Sequence, residues 1–271
     1  MTYNFKWLKI FLWSNIPIAL DAAAWTALTY KILQTKPDFL IIILSFCFTW
    51  LFYTLDRTRI HAADYINNPE RTQWYAKQTY LKPIMISLSV LLVFICSMYP
   101  SLIVPILICI FPCLFYAKNI KIYGYTFTLK SLLGMKVILV AFLWVVLTVI
   151  FPVIASKINL FRPEIIYLGL MVGCFVMLQI NTNDLRDIEG DSKERVKSMA
   201  VILGDKKARL FGICLIGVGM FCGWNFFNPI SLLMLSIFLI ARTILYRKEA
   251  DIYWQLPISL QGVLAYFLLN F

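Results

Sequence analysis

The stretch Asn183-Asp184-Leu185-Arg186-Asp187-Ile188-Glu189-Gly190-Asp191 carries four carboxylates in eight residues, directly after an apolar run. On a helix that advances about 100° per residue, Asp184, Asp187 and Asp191 fall within an arc of about 60°. Like charges on one stripe repel each other unless a cation lies among them. Hard oxygen ligands on one face suit Mg²⁺, which takes a few carboxylates, waters and substrate phosphates. A continuous helix rises about 10 Å from Asp184 to Asp191, too far for one ion with bonds of about 2.1 Å. The stripe therefore predicts either two ions or a helix that breaks at Gly190 and folds Asp191 back. The plainer alternative is a solvated helix end whose carboxylates pair with Arg186, Lys193 and Arg195.

A second group of acids and arginines runs Asp56-Arg57-Thr58-Arg59-Ile60-His61-Ala62-Ala63-Asp64, followed by Asn67, Asn68, Pro69, Glu70 and Arg71. Basic residues follow at Lys118, Lys121, Lys130 and Lys136, and again at Lys193, Arg195 and Lys197. Lysine and arginine beside Mg²⁺ and carboxylates fit a diphosphate, whose oxygens accept charge-assisted hydrogen bonds. Taken singly, each lysine reads more plainly as a lipid-headgroup contact. His61, the one histidine, reads as an exposed loop residue or a local ligand.

The elements that must position these residues are apolar. The chain has 271 residues, of which 61% are hydrophobic and 14% charged. A soluble domain is usually about 45–50% apolar, so this composition predicts an integral membrane protein. Nine apolar segments run approximately over 8–31, 38–55, 80–98, 101–118, 135–153, 164–182, 208–225, 229–246 and 255–270. Their lengths and short connections predict an all-α polytopic bundle of nine transmembrane helices. Lys6 and Lys9 before an apolar stretch resemble a signal peptide, but Asn15 and Asp21 interrupt that stretch, so a retained helix is expected.

With nine spans, every Lys and Arg except Lys31, Lys36, Lys157 and Arg162 falls on the side of the N-terminus. The positive-inside rule makes that side cytoplasmic, and both acid clusters lie on it. The net charge of +11 is thus a membrane-surface collar and does not imply nucleic acid. The seven cysteines all sit in apolar runs without a CxxC pair, as small buried hydrophobes. Asp21 lies inside the first segment, where an acid is costly and is either functional or tied by an interhelical hydrogen bond. Trp144, Tyr253 and Trp254 read as lipid-facing or interface anchors. No further repeat or low-complexity stretch divides the chain, so 1–271 is read as one domain.

These residues resemble the UbiA superfamily of intramembrane prenyltransferases. The second family motif, D-x-x-D-x-x-x-D, is matched by Asp184, Asp187 and Asp191, and its continuation is similar to Lys197-Ser198-Met199-Ala200-Val201-Ile202-Leu203-Gly204. The first motif, N-D-x-x-D-x-x-x-D followed by P-x-R, is degenerate. Aligned on Pro69 and Arg71, Asp64 takes the last acid, Asp56 the Asn position, and Arg57 and Ile60 replace the first two acids. The resemblance implies Mg²⁺ on Asp184, Asp187 and Asp191 with Asp56 and Asp64 opposite. Arg57, Lys118, Lys121, Lys193 and Lys197 would bind the diphosphate.

The implied activity moves an isoprenyl group from an allylic prenyl diphosphate to a lipophilic, aromatic acceptor, at the cytoplasmic face of a bacterial inner membrane. A terpene cyclase on the same scaffold and a non-catalytic isoprenoid-binding membrane protein are the alternatives. No covalent nucleophile or redox cofactor is indicated.

Overall fold

A computed structural model describes residues 4–115, 120–122, 125–127, 132, 134–194, 196–246 and 260–269. Within them the chain is a helical bundle. Helices α1 (Asn4–Trp13), α2 (Ile16–Ile32) and α3 (Phe39–Thr58) lead to two short helices, α4 (Ala62–Asn67) and α5 (Pro69–Lys77). Helices α6 (Leu81–Met98) and α7 (Ile103–Phe115) follow. Next come α8 (Met135–Val145), a π-helical turn (Val146–Ile150) and α9 (Phe151–Ala155). The chain continues through α10 (Pro163–Lys193), α11 (Met199–Gly223), α12 (Pro229–Leu245) and α13 (Gln261–Leu268).

Each apolar segment read from the sequence is thus helical over much of its described part. Four stretches, Phe39–Thr58, Leu81–Met98, Met135–Ala155 and Pro163–Lys193, are long and apolar enough to cross a membrane. The all-helical expectation needs one correction. Between α7 and α8, strands β1 (Ile120–Ile122) and β2 (Tyr125–Phe127) pair antiparallel, with Lys121 opposite Thr126.

Helix α10 runs through the core. Its residues Leu168, Met171, Val172, Phe175 and Leu178 pack with Trp25 and Leu28 of α2, Val137 and Val140 of α8, and Leu215 and Ile216 of α11. The approach of α11 depends on small residues, because a Cβ on Gly219 would lie 2.6 Å from the Phe175 ring. Close backbone approach through such residues is the usual way helices pack in lipid. Trp144 corrects the sequence reading: it is 3% exposed and sits in this core. Hydrophobicity alone does not say which face of a helix meets lipid. Apolar faces do lie outside on α6 and α7, at Ile86, Val90, Val93, Val104 and Phe111, and on α12, at Ile230, Leu233 and Ile237. Of the cysteines read as buried hydrophobes, Cys47, Cys109, Cys174 and Cys222 are buried, Cys96 and Cys113 are half-buried, and Cys214 is exposed.

Two breaks in the bundle follow from proline. Pro17 has no N–H, so the Trp13 carbonyl loses its helical donor and the chain turns at Asn15, whose φ is +60°. The Tyr75 hydroxyl donates to the Trp13 carbonyl, and Trp50 Nε1 donates to the Ser14 carbonyl at 2.8 Å. The Asn15 amide donates in turn to Tyr75 Oη at 2.8 Å and to Thr54 Oγ1 at 3.2 Å. Pro152 likewise removes the donor facing the Thr148 carbonyl, beside the π-helical turn. Thr29 Oγ1 of α2 donates to that carbonyl at 2.8 Å, and Ser45 Oγ of α3 to Leu147 O at 3.3 Å. Freed backbone groups inside a membrane bundle need such partners. The first repair joins the α1–α2 turn to α3 and α5, and the second joins α2 and α3 to the π-helical turn.

Candidate active site

The last turns of α10 carry the acid stripe. The helix does not break at Gly190; it continues to Lys193. Asp184 is fully buried, and Asp187 and Asp191 are each 8% exposed. That burial sets aside the solvated helix end as a description of these three acids.

Helix α4 docks on this end of α10. Asn67 Oδ1 accepts the Gly190 N–H at 2.9 Å, Glu194 Oε1 accepts the Ala63 N–H at 3.1 Å, and the Asn68 amide lies 3.5 Å from Asp187 Oδ1. A Cβ on Gly190 would overlap the Asn67 amide, so glycine is what allows the close approach. The His61 backbone N–H donates to Asp64 Oδ2 at 2.9 Å, which caps α4 and fixes Asp64. His61 is half-buried rather than an exposed loop residue.

The result is a cavity of about 130 Å³ lined by both clusters. Asp56, Arg57, His61 and Asp64 come from the first cluster, and Asp184, Arg186, Asp187 and Asp191 from the second. Phe52, Tyr53, Val140 and Ile180 form an apolar wall. The polar end can hold an anion with its counter-ions, and the apolar wall suits a hydrocarbon group attached to it.

Three cations sit among the acids. Lys136 Nζ, from the first turn of α8, lies 2.6 Å from Asp184 Oδ1 and 3.0 Å from Asp191 Oδ2. Arg186 grips Asp187 with two hydrogen bonds, Nε to Oδ1 at 2.7 Å and Nη2 to Oδ2 at 2.9 Å. Arg57 Nη1 lies 3.7 Å from Asp64 Oδ1. A fourth cation, Arg71, is buried in α5 close by. Burial, with Arg57 and Arg186 near it, pulls Arg71 below the usual arginine value to about 9, so it stays charged at neutral pH.

Lys136 also corrects the argument from helix rise. One ammonium contacts carboxylates two turns apart, because the two side chains lean toward each other along the stripe.

The other expected diphosphate ligands are placed differently. Lys193 is exposed and pairs with Glu189 at 3.0 Å. Lys197 is exposed, and its carbonyl accepts the Gly134 N–H at 3.2 Å, which fastens the start of α8. Neither lines the cavity. Lys121 lies in β1, and Lys118 falls outside the described residues.

Among the described residues no three acidic, histidine or cysteine side chains converge into a closed metal centre. Magnesium does not require one, since it is commonly held by one or two carboxylates with substrate phosphates and water completing the shell. Asp184 Oδ1 has Lys136 Nζ at 2.6 Å, whereas its buried Oδ2 has no hydrogen-bond partner among the described residues. A buried acceptor left this way is costly, and a divalent ion held by Asp184 and Asp191 would satisfy it. The residues fit the ion.

The model of the UbiA prenyltransferase family matches residues 77–256. The chain belongs to this family. The match begins after the degenerate Asp56–Arg71 stretch and takes in Lys136 and the whole of the second acid motif. Four apolar helices and this membership make it an integral membrane protein. A solved structure from work on digeranylgeranylglyceryl phosphate synthase in membranes is similar over 96% of this chain and 97% of that one, with a TM-score of 0.56 and 20% identity. At that identity the likeness speaks for the UbiA fold alone. No curated protein matches the chain.

In this UbiA bundle the five acids and Arg57 singled out from the sequence line one cavity. Lys136 reads from the sequence as one basic residue among several, and Arg186 only as a surface partner of the stripe. A lysine opening an apolar helix on the same side as the acids was the available signal.

Proposed function

We infer that this chain is a Mg²⁺-dependent intramembrane prenyltransferase acting on an allylic prenyl diphosphate and a lipophilic, aromatic acceptor. The observation that carries the reading is the single cavity in which both acid clusters and three cations face an apolar wall. Asp184 and Asp191, with Asp56 and Asp64 across the cavity, would hold Mg²⁺. Bound there, the ion would stabilise charge on a leaving diphosphate. Arg57 and Lys136 bind the diphosphate oxygens and take up the negative charge that grows as the allylic C–O bond breaks. The electron pair of that bond leaves with the diphosphate. An electron-rich acceptor carbon supplies the pair for the new bond and then gives up its proton. Phe52, Tyr53, Val140 and Ile180 exclude water from the allylic cation.

The same reading takes the whole chain as one UbiA-type domain with nine spans. Its N-terminus and cavity face the cytoplasm. The excess of Lys and Arg at that end supports this orientation, and a bacterial inner membrane suits it.

The test uses membranes containing the protein, with geranyl, farnesyl or geranylgeranyl diphosphate and a pool of aromatic lipids. Diphosphate release is expected with Mg²⁺, and not with EDTA or in Asp184→Asn. A prenylated aromatic product establishes transfer. Release with a cyclic hydrocarbon or alcohol and no acceptor adduct would replace transfer by cyclisation. No release at any chain length from folded protein would leave an isoprenoid-binding protein.

A further inference from the structure

Four acids of the cavity are matched by cations among the described residues: Asp64 by Arg57, Asp187 by Arg186, and Asp184 with Asp191 by Lys136. The three pairs differ in what holds them. The Arg186 fork makes two hydrogen bonds and is 4% exposed. The Arg57 pair is loose at 3.7 Å. Lys136 lies between: its contacts are short, yet its side chain is 19% exposed and lines the cavity. An ammonium on a four-carbon stem is a point charge that can turn without losing a planar fork of bonds. Its backbone is fixed, because Gly134, with φ of +64°, donates to Lys197 O directly before α8.

We propose that Lys136 is the resident counter-ion of the acid stripe and that it couples metal binding to diphosphate binding. The ammonium stands at Asp184 and Asp191, where the divalent ion would go. A metal arriving alone must expel it into a cavity already lined by Arg57 and Arg186. When a diphosphate is present, the ammonium turns from the carboxylates to the phosphate oxygens and the ion takes its place. Every charge keeps a partner in that exchange. Metal and diphosphate therefore bind as one unit, and each raises the affinity for the other by the same factor, as linkage requires. The inference rests on the diphosphate reading above and adds a role for Lys136 that the acid motifs do not contain.

The experiment uses the full-length protein in detergent micelles, with Mn²⁺ as the metal and inorganic pyrophosphate as the anion. Electron paramagnetic resonance gives the affinity for Mn²⁺ alone. Equilibrium dialysis of labelled pyrophosphate, without and with Mn²⁺, gives the coupling. Wild type is expected to bind Mn²⁺ weakly alone and to bind pyrophosphate at least tenfold more tightly when Mn²⁺ is present. Lys136→Gln is expected to bind Mn²⁺ alone at least tenfold more tightly than wild type and to lose most of the coupling. Lys136→Arg, which keeps the charge, should retain the weak metal binding.

Unchanged or weaker Mn²⁺ binding in Lys136→Gln overturns the proposal, and so does an absence of coupling in wild type, which needs no variant to fold. Coupling that disappears in Asp184→Asn, with Lys136→Gln like wild type, removes the role of Lys136 and leaves the diphosphate site standing. No pyrophosphate binding at any metal concentration removes both.

Discussion

Asn67 Oδ1 accepts the Gly190 N–H at 2.9 Å, and this bond ties the first acid cluster to the second. Its donor lies one residue before Asp191, and its acceptor ends the helix that Asp64 caps. The relation between the two clusters therefore depends on a contact for which only glycine leaves room.

Gly190→Ala should separate the clusters. The added methyl displaces the Asn67 amide and removes a hydrogen bond of about 1 kcal/mol. Thermal melting in detergent should fall slightly, while Mn²⁺-dependent pyrophosphate binding falls at least tenfold, because the two walls no longer face each other. Asn67→Ala, which removes the bond without the clash, should lose less. Equal melting and binding in Gly190→Ala and wild type would show that the docking of α4 does not matter to the site.

Asp184→Asn tests the stripe itself. The carboxylate is fully buried and paired with Lys136 through Oδ1 at 2.6 Å, with Oδ2 unpartnered among the described residues, so its charge is retained against a desolvation cost. Preorganised charge of this kind is typically worth about 10²–10³ in rate. Diphosphate release should drop by that order, with melting unchanged or slightly raised. A variant of near wild-type rate would move catalysis away from Asp184.

Asp21 gives a prediction away from the cavity. Its Oδ1 accepts the Gly262 N–H at 2.5 Å and joins α2 to α13. Arg242, 1% exposed, donates to Gln261 Oε1 at 3.2 Å, and Gln261 Nε2 donates to the Phe175 carbonyl at 2.7 Å. Asp21→Ala leaves a buried N–H without an acceptor and should cost about 2 kcal/mol. Asp21→Asn keeps an oxygen for Gly262 and should recover much of it. The readout is melting by size exclusion after heating; equal melting of Asp21→Ala and wild type would refute the latch.

What the sequence disclosed follows from what period and composition can express. Asp184, Asp187 and Asp191 were legible because helical spacing alone puts them on one stripe. That Asp56 and Asp64 share an end of the bundle with them was legible from the distribution of lysine and arginine. Lys136 was not legible as a partner of Asp184, since only the packing of α8 on α10 brings them together. Trp144 was misread because an apolar helix shows no polar face to say which side is buried. Nothing local announced that Asn67 would rest on Gly190. The repair of the Thr148 carbonyl was half visible, as Pro152, but its donor lies in another helix.

That repair supports a double-mutant test. Pro152 withholds an N–H from the ladder at Thr148, and Thr29 Oγ1 donates to the Thr148 carbonyl at 2.8 Å. Thr29→Val keeps the shape and removes the donor, so it should cost about 1 kcal/mol. Pro152→Ala restores an N–H one turn after Thr148, and in that background the loss of the Thr29 hydroxyl should cost much less. The coupling between the two substitutions, measured by melting in one detergent, reports whether the hydroxyl stands in for the missing amide. Additive effects would mean that Thr29 and Pro152 act separately and that the π-helical turn has another cause.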